Sequence, residues 1–206
     1  TPEDTGGASH DHPEVASGYY NIGYVYFAQG DYSKALEYFE EVLKIRLSVY
    51  GENHSRVASV YNDIGEIYSV QGDDFKALDY FKKSLKIVLS VYGENHSQVS
   101  SIYDHIGEVY FAQKDYSKAL YYFEESLKIR LSLFGENHPE VALSYYSIGS
   151  LYIIQGDKSK ALNYYEKSLK IRLSVYGENH PLTKEIMDLI NVAANSKVLQ
   201  SPETTK

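Results

Sequence analysis

The sequence repeats itself with a period of 42 residues, and this period limits the possible folds more than any other feature. The segment Gly-Glu-Asn-His recurs at that spacing as Gly51–His54, Gly93–His96, Gly135–His138 and Gly177–His180. The pair Asp11-His12 stands one period before the first copy. A fixed period of about 20 to 50 residues is typical of chains built from equal units that pack mainly on their neighbours. The 206 residues are therefore predicted to form one continuous repeat array.

Each unit is predicted to contain two antiparallel helices. In the first unit, one helix face after Pro13 is formed by apolar residues at helical spacing, namely Val15, Tyr19, Ile22, Gly23 and Tyr26. Gly30 is expected to end this helix in the left-handed conformation, and Asp31 to cap the second helix. Gly51 then closes the second helix, whose expected packing face is Ala35, Leu36, Phe39, Val42, Leu43, Arg46, Leu47 and Tyr50.

The period also predicts the domain boundaries. Residues 1–11 are small and polar and are predicted to be a disordered leader, and residues 200–206 a disordered tail. A single solenoid is expected over residues 12–199, with repeats at 12–53, 54–95, 96–137 and 138–179. Residues 180–199 begin a fifth unit without completing it, and we expect them to form a capping helix that covers the last repeat.

Composition excludes several classes of protein. The net charge is −8, whereas nucleic acids and anionic membranes bind basic faces. No apolar segment approaches the roughly 18 residues that suggest a membrane span. The chain contains no cysteine, which excludes disulfides and thiolate metal sites. We therefore expect no nucleic-acid and no membrane partner, and a cytoplasmic location.

The repeats carry a recognisable signature. The first unit contains Tyr19-x2-Ile22-Gly23-x2-Tyr26 followed by Ala35-x3-Phe39, and the next three units match it at fixed spacing. This pattern resembles that of the tetratricopeptide repeat family. The family's usual proline at the end of the second helix is replaced by leucine, and the second helix is about two turns longer. That longer form is similar to the repeats of kinesin light chains.

The resemblance implies an all-α fold, a right-handed α-solenoid of four helix pairs plus a C-terminal capping helix. It also implies a concave groove that binds peptides. By analogy with the family, the groove positions lie on the first helix of each unit, around the conserved Ile-Gly pair. The candidate peptide- or partner-binding residues are Tyr20, Asn21, Tyr24, Phe27, Asn62, Asp63, Glu66, Asp104, His105, Glu108, Tyr146 and Ser147.

The chemistry of these positions predicts what the groove prefers. The lysine and arginine residues with which some relatives hold a peptide carboxylate are missing, and only Asn21 and Asn62 resemble that set. The centre is acidic, with Asp63, Glu66, Asp104 and Glu108, and would repel an acidic ligand. A neutral or basic segment is therefore favoured. The aromatic ends are suited to apolar side chains, and the asparagines to a peptide backbone.

No catalytic or metal site is predicted. One histidine per unit cannot converge on a single ion, because neighbouring units are offset by about 8–10 Å and zinc ligands lie about 2 Å from the metal. Enzymes need one asymmetric constellation of perturbed groups, and the carboxylates here mostly repeat with the unit. We expect no catalytic residue, no cofactor and no small-molecule substrate.

Three functions fit these observations. The first is a monomeric protein-interaction scaffold that binds a peptide or partner segment in its groove. The second is a structural spacer or self-assembling segment of a larger protein. The third is the substrate-selecting arm of an enzyme whose catalytic domain lies elsewhere. The sequence favours the first, because the groove positions vary while the scaffold residues do not.

Overall fold

A computed structural model describes residues 13–195, which form nine α-helices and no strand. The helices are α1 (Pro13–Ala28), α2 (Tyr32–Tyr50), α3 (Ser55–Val70), α4 (Asp74–Tyr92), α5 (Ser97–Ala112), α6 (Tyr116–Phe134), α7 (Pro139–Gln155), α8 (Lys158–Tyr176) and α9 (Pro181–Asn195). The predicted all-α helical repeat is confirmed. The predicted leader, the tail and the last four residues of the capping segment lie outside the described residues.

The helices group into two compact units that divide between Asp115 and Tyr116. In unit 1, α1 pairs with α2 and α3 with α4, while α2 packs on α3 and α4 on α5. The core of the first pairs is apolar and includes Phe39, Val42, Val60 and Ile64, each almost fully buried. Each helix pair thus covers its apolar face with the following one, as stacked repeats do.

Unit 2 contains α6 to α9, and each of these helices packs on the next. The predicted capping helix is α9, which packs on α8 and buries Ile186 and Ala193. Leu189 and Ile190 are half-buried. The opposite side of α9 is exposed and carries polar residues, namely Lys184, Glu185, Asp188 and Asn191.

Glycine ends the first helix of most repeats in the left-handed conformation, as predicted. Gly30, Gly72 and Gly156 have φ values of 78°, 77° and 82°. Lys114 takes the same position in the third repeat, with φ of 62°, and among the described residues it is the one non-glycine with positive φ. The tight turn is therefore kept even where the residue is not suited to it.

The histidine of each Gly-Glu-Asn-His segment caps the helix that follows. Nδ1 of His54 accepts a hydrogen bond from the backbone N–H of Arg56 at 3.1 Å, and His96 and His138 repeat this contact at 3.2 Å. Each ring also stacks on the aromatic residue four positions earlier, as His96 does on Tyr92 with 4.2 Å between centroids. The cap is the histidine, and the glutamate stays exposed.

The conserved glycine of the first helix makes room for a ring of the second. A Cβ atom placed on Gly65 would lie 2.7 Å from Cε1 of Phe81, and one on Gly149 would lie 2.7 Å from Tyr165. Such distances are shorter than real Cβ contacts, so the helices approach this closely only with glycine. Glycine at this position of the repeat thus permits the close approach of α3 to α4 and of α7 to α8.

Ile22 departs from the expected packing face. It is 40% exposed, whereas the equivalent Ile64, Ile106 and Ile148 are fully buried. Each buried isoleucine has a preceding helix to pack on within its own unit, α2, α4 or α6. No described helix precedes α1, so the same sequence motif leaves Ile22 accessible. Packing on the neighbouring repeat, rather than the motif itself, buries this position.

Candidate binding face

The predicted groove residues of unit 1 come from α1, α3 and α5, the first helices of three successive repeats. We call their common surface the first-helix face. It carries Tyr20, Asn21, Tyr24, Phe27, Asn62, Asp63, Glu66, Asp104, His105 and Glu108. Several of them are in direct contact although they are far apart in sequence, as the 42-residue period requires.

A polar network joins α3 to α5 on this face. Nδ2 of Asn62 donates a hydrogen bond to Oε1 of Glu66 at 2.6 Å, one helical turn further along α3. Oδ1 of Asn62 lies 3.1 Å from Nδ1 of His105 on α5. Nε2 of His105 lies 3.6 Å from Oε1 of Glu66. Asn62 therefore uses one N–H donor and its carbonyl oxygen in contacts within the protein.

A second polar group joins α1 to α3. The Tyr20 hydroxyl is hydrogen-bonded to Asp63, and the guanidinium of Arg46 on α2 lies over the Tyr20 ring at 4.9 Å. Burial raises the pKa of Asp63 to about 6, although the Tyr20 hydrogen bond and the charge of Arg46 act to lower it. The same burial, together with Asp63, raises the pKa of Tyr20 well above its usual value. Asp63 is thus a desolvated carboxylate at neutral pH.

A pocket of about 160 Å³ opens between α1, α3 and α5. Its lining mixes apolar and acidic side chains, namely Phe27, Glu66, Ser69, Val70, Phe81, His105 and Glu108. The His105 ring packs on Phe81 with 5.2 Å between centroids, which fixes its orientation. Tyr24, which is 57% exposed, extends the aromatic surface beside Phe27, with 6.2 Å between the rings.

The carboxyl groups at this pocket have raised pKa values. Burial raises the pKa of Glu66 to about 7, the nearby Asp63 adds to this, and the Asn62 hydrogen bond opposes it. Partial burial, followed by the charges of Asp104 and Glu66, raises the pKa of Glu108. No lysine or arginine contributes to either shift. The acidic centre therefore carries less charge at neutral pH than its composition suggests, and a cation would restore that charge.

Not every predicted residue joins these groups. Asn21 is exposed and lines a separate depression with Ile22, Val25 and Tyr26 of α1 and with Gln29, which directly follows this helix. Tyr146 and Ser147 belong to unit 2. The Tyr146 hydroxyl donates a hydrogen bond to Oε1 of Glu185 on α9 at 3.0 Å, and the Arg172 guanidinium lies over its ring at 5.0 Å. Ser147 is half-buried.

Sequence reasoning missed the role of the second helices in this face. Phe81 on α4 packs on the ring of His105, and Arg46 on α2 lies over the ring of Tyr20. The charge of Arg46 also acts to lower the pKa of Asp63. Arg46 was assigned only to the packing face of its helix. Comparing each position with its equivalents 42 residues away would have drawn attention to it, because arginine recurs at Arg130 and Arg172.

Within residues 13–195, no three histidine or acidic side chains are close enough together to hold a metal ion. None of the described helices has the length and apolar character that a bilayer crossing requires. The face thus offers hydrogen-bonding, acidic and aromatic groups, which are the means by which proteins recognise other polypeptides.

These features define a helical-repeat protein. The residues that pack the helices recur in each repeat, whereas the residues of the first-helix face differ between repeats. The tetratricopeptide repeat model matches residues 14–89, 56–132 and 98–174, and the chain belongs to the tetratricopeptide repeat family. Proteins of this family generally mediate protein–protein interaction and are generally non-catalytic.

Solved structures of similar fold include kinesin-light-chain-like repeats. BtubC (BKLC) from P. vanneervenii is 27% identical with a TM-score of 0.72, over 81% of this chain and 66% of that one. A kinesin-light-chain-like protein of Podosopora anserina with nearly identical TPR-like repeats is 17% identical with a TM-score of 0.74, over 88% of this chain and 86% of that one.

The apo form of RapI is 18% identical with a TM-score of 0.72, over 86% of this chain and 62% of that one. The chain thus spans just under two thirds of BtubC and of RapI. A comparison with curated protein sequences finds no match. The similarity to the two less identical structures concerns the fold alone.

Proposed function

We propose that the first-helix face of unit 1 binds an extended segment of a partner protein, and that neutral or basic segments are favoured. The observation that carries this proposal is the pairing of two carboxyl groups, Glu66 and Glu108, around a pocket with apolar walls. A cationic side chain entering this pocket would stabilise the ionised form of both groups. The apolar stem of that side chain would contact Phe27 and Phe81.

The polar groups beside the pocket suit a peptide main chain. Asn62 retains one N–H and part of its acceptor capacity, because its described contacts use one donor and one side of its carbonyl oxygen. Tyr24 is accessible for stacking or apolar contact at the α1 end. The mechanism is recognition on a preformed surface, without covalent chemistry on this chain and without a cofactor. We propose a cytoplasmic, monomeric protein.

The test is a comparison of charge variants on and off the face. The probe is an array of capped twelve-residue peptides with basic, neutral and acidic members of matched apolar content. Purified wild type is expected to bind the basic members, and Glu66→Lys/Glu108→Lys to lose them. Glu52→Lys/Glu94→Lys, which makes the same charge change at exposed positions between helices, is the matched control and should bind as wild type does.

Salt adds a second criterion. Attraction between partly exposed charges falls as the Debye length shortens from about 10 Å at 0.1 M to about 3 Å at 1 M salt. Binding of basic peptides should therefore weaken with added sodium chloride. Equal binding of acidic and basic peptides, or equal loss in both variants, would overturn the proposed preference.

The spacer function is favoured by one observation and is the second candidate. Ile22 and Val25 on α1 are exposed apolar residues, 40% and 53% accessible, at a surface where equivalent isoleucines are buried by a neighbouring helix. A second copy or a further repeat would cover them. Concentration-dependent association in light scattering that Ile22→Lys abolishes would support self-assembly, and a monomer at all concentrations would exclude it.

A further inference from the structure

One position on the second helices breaks the repeat in a way that alters the surface. The residues at this position are Arg46, Val88, Arg130 and Arg172, each 42 residues from the next. The three arginines are long, cationic and rich in hydrogen-bond donors, whereas valine is short and apolar. The second repeat therefore lacks a group that the other repeats possess.

The arginines have a defined structural task. Nη1 of Arg46 donates hydrogen bonds to the backbone oxygen of Arg56 at 2.8 Å and to Oγ of Ser59 at 3.0 Å. Its guanidinium also lies over Tyr20. Arg46 thus fills the space between its own helix, the first helix of its repeat and the first helix of the next repeat.

The arginines of unit 2 act in the same manner. Nη1 of Arg172 donates to the backbone oxygen of Leu182 at 2.6 Å. Nη1 of Arg130 donates to Oγ of Ser144 at 2.8 Å, and its Nη2 lies 3.0 Å from Oε2 of Glu140. Arg130 and Arg172 are almost fully buried, so the guanidinium is an integral part of the packing between neighbouring helices.

A pocket of about 100 Å³ lies where Val88 stands instead. Side chains of α3, α4 and α5 line it: Ser59, Asn62, Asp63, Ser84, Val88, Gln98, Ser101 and Ile102. The pocket is larger than the roughly 30 Å³ that one water molecule takes in the liquid. Ser101 is exposed, so the pocket reaches the surface, and Asn62 belongs both to it and to the first-helix face.

Two buried oxygen atoms of pocket residues have no donor. Oδ2 of Asp63 and Oε1 of Gln98 are buried and accept no hydrogen bond from any described residue. Buried acceptors are normally satisfied, because leaving one unpaired costs about 1–3 kcal/mol. In the first repeat, the corresponding space is occupied by the guanidinium of Arg46. The residues 42 positions before Asp63 and Gln98 are Asn21 and Arg56, so the second repeat lacks the arginine donor and places two unpaired acceptors of its own beside Val88.

We propose that this pocket binds an arginine side chain of the partner segment, which takes the place that Arg46 and Arg172 hold in their own repeats. The inference rests on the proposed peptide-binding function and specifies it. Arginine suits the site better than lysine because its planar guanidinium offers five N–H donors in a fixed geometry. Those donors match a carboxylate and an amide oxygen, with the hydroxyls of Ser59 and Ser101 close by.

The electrostatics of Asp63 supports this assignment independently of the geometry. Burial raises the pKa of Asp63, and its partners are the neutral hydroxyl of Tyr20 and the charge of Arg46. Arg46 also donates a hydrogen bond to Ser59 of α3. A guanidinium in the pocket would supply the second cation that this desolvated carboxylate lacks.

Val88→Arg is the variant that tests the proposal, with Val88→Met as its control. Arginine at this position is expected to occupy the pocket from within, as in the other repeats, and to raise the melting temperature by satisfying the buried acceptors. Methionine fills volume without donors and should leave the melting temperature unchanged or lower. Both variants keep every charge of the first-helix face.

The first measurement is a titration with methylguanidinium, in which binding is detected by changes in the backbone amide chemical shifts. Methylammonium is the control of equal charge. Methylguanidinium should change the amide chemical shifts of the pocket residues in wild type. It should leave those of Val88→Arg unchanged. The second measurement uses a basic peptide that binds wild type. Replacing the anchoring arginine of this peptide by lysine should weaken its binding to wild type about tenfold. Val88→Arg should bind the original peptide more weakly than wild type does, and the same arginine-to-lysine replacement should not weaken that binding further.

The outcomes separate the two proposals. If basic peptides bind and respond to Glu66→Lys/Glu108→Lys but ignore Val88→Arg, the arginine pocket is wrong and the binding face stands. If methylguanidinium binds while no peptide does, the proposed function and a partner arginine as occupant are both wrong. Equal shifts with methylammonium, or shifts that persist in Val88→Arg, would mean that the pocket holds water and attracts cations only generally.

Discussion

Asn62 and His105 lie 43 residues apart in sequence and are joined by a contact of 3.1 Å between Oδ1 of Asn62 and Nδ1 of His105. The contact crosses from one repeat to the next, so two side chains of the first-helix face fix each other's position. Glu66 holds the other end of the asparagine amide. A ligand that enters here meets a preformed arrangement, which reduces the loss of side-chain entropy on binding.

Replacing Lys114 by glycine should stabilise the protein. Lys114 has φ of 62°, in the left-handed region where a side chain costs about 1 kcal/mol. Lys114→Gly is expected to raise the free energy of unfolding by about that amount, measured by chemical denaturation. The reverse change at the equivalent turn, Gly72→Lys, should lower it by a similar amount. A loss of stability in Lys114→Gly would mean that the lysine side chain contributes more than its backbone costs.

A methyl group at Gly65 should destabilise unit 1. The new Cβ would lie 2.7 Å from Cε1 of Phe81, which is only 1% exposed. Gly65→Ala is expected to cost about 1–3 kcal/mol in thermal or chemical denaturation, because the helices must separate. Gly18→Ala is the matched control, since no atom lies within 4 Å of its Cβ position. That variant should gain about 0.5–1 kcal/mol from helix propensity, and a similar loss at both sites would contradict the close-approach argument.

Ile64 and Ile22 should differ in their contribution to stability although they occupy the same position of the motif. Ile64 is fully buried and Ile22 is 40% exposed. Ile64→Ala is expected to cost about 2–5 kcal/mol, and Ile22→Ala substantially less. Equal costs in chemical denaturation would mean that Ile22 is covered in solution, for example by association of two chains, which light scattering would detect.

Stability should fall as pH rises from about 4 to about 7. Asp63 and Glu66 have pKa values of about 6 and about 7 in the folded protein, above their ordinary 3.8 and 4.5. The folded state therefore binds protons that the unfolded chain has released. The stabilisation from these two groups is fully present when the pH is below their ordinary pKa values. It is lost as the pH rises through their folded-state pKa values of about 6 and about 7. After allowance for partial exposure, the change should be on the order of 1 kcal/mol.

Asp63→Asn/Glu66→Gln should flatten this pH dependence, measured as the free energy of unfolding at several pH values. The charged or titrating groups that face the pair are Tyr20, Arg46, His105 and Glu108. Nε2 of His105 lies 3.6 Å from Oε1 of Glu66, so the comparison is best made in a His105→Asn background. An unchanged slope in the double variant would show that other groups cause it.

The sequence predicted the framework well because the 42-residue period repeats every helix end and packing position. It identified the left-handed turn that ends the first helix, as at Gly30. Exposure of Ile22 could not be inferred from the motif, because burial there depends on a neighbouring helix. The roles of Arg46 and Val88 were also missed, because a search confined to the first helices ignores side chains that reach across from the second ones.

Stacking of each linker histidine on the ring four residues earlier has a consequence for how such chains lengthen. His54 both caps α3 and packs on Tyr50 at 4.5 Å between centroids. A cut between Asn53 and His54, with a further 42-residue block inserted there, would recreate the same cap and the same stacked ring at both new junctions. Duplication of a gene segment in this register would therefore add a repeat without remodelling the joints, and its surface residues would then be free to diverge.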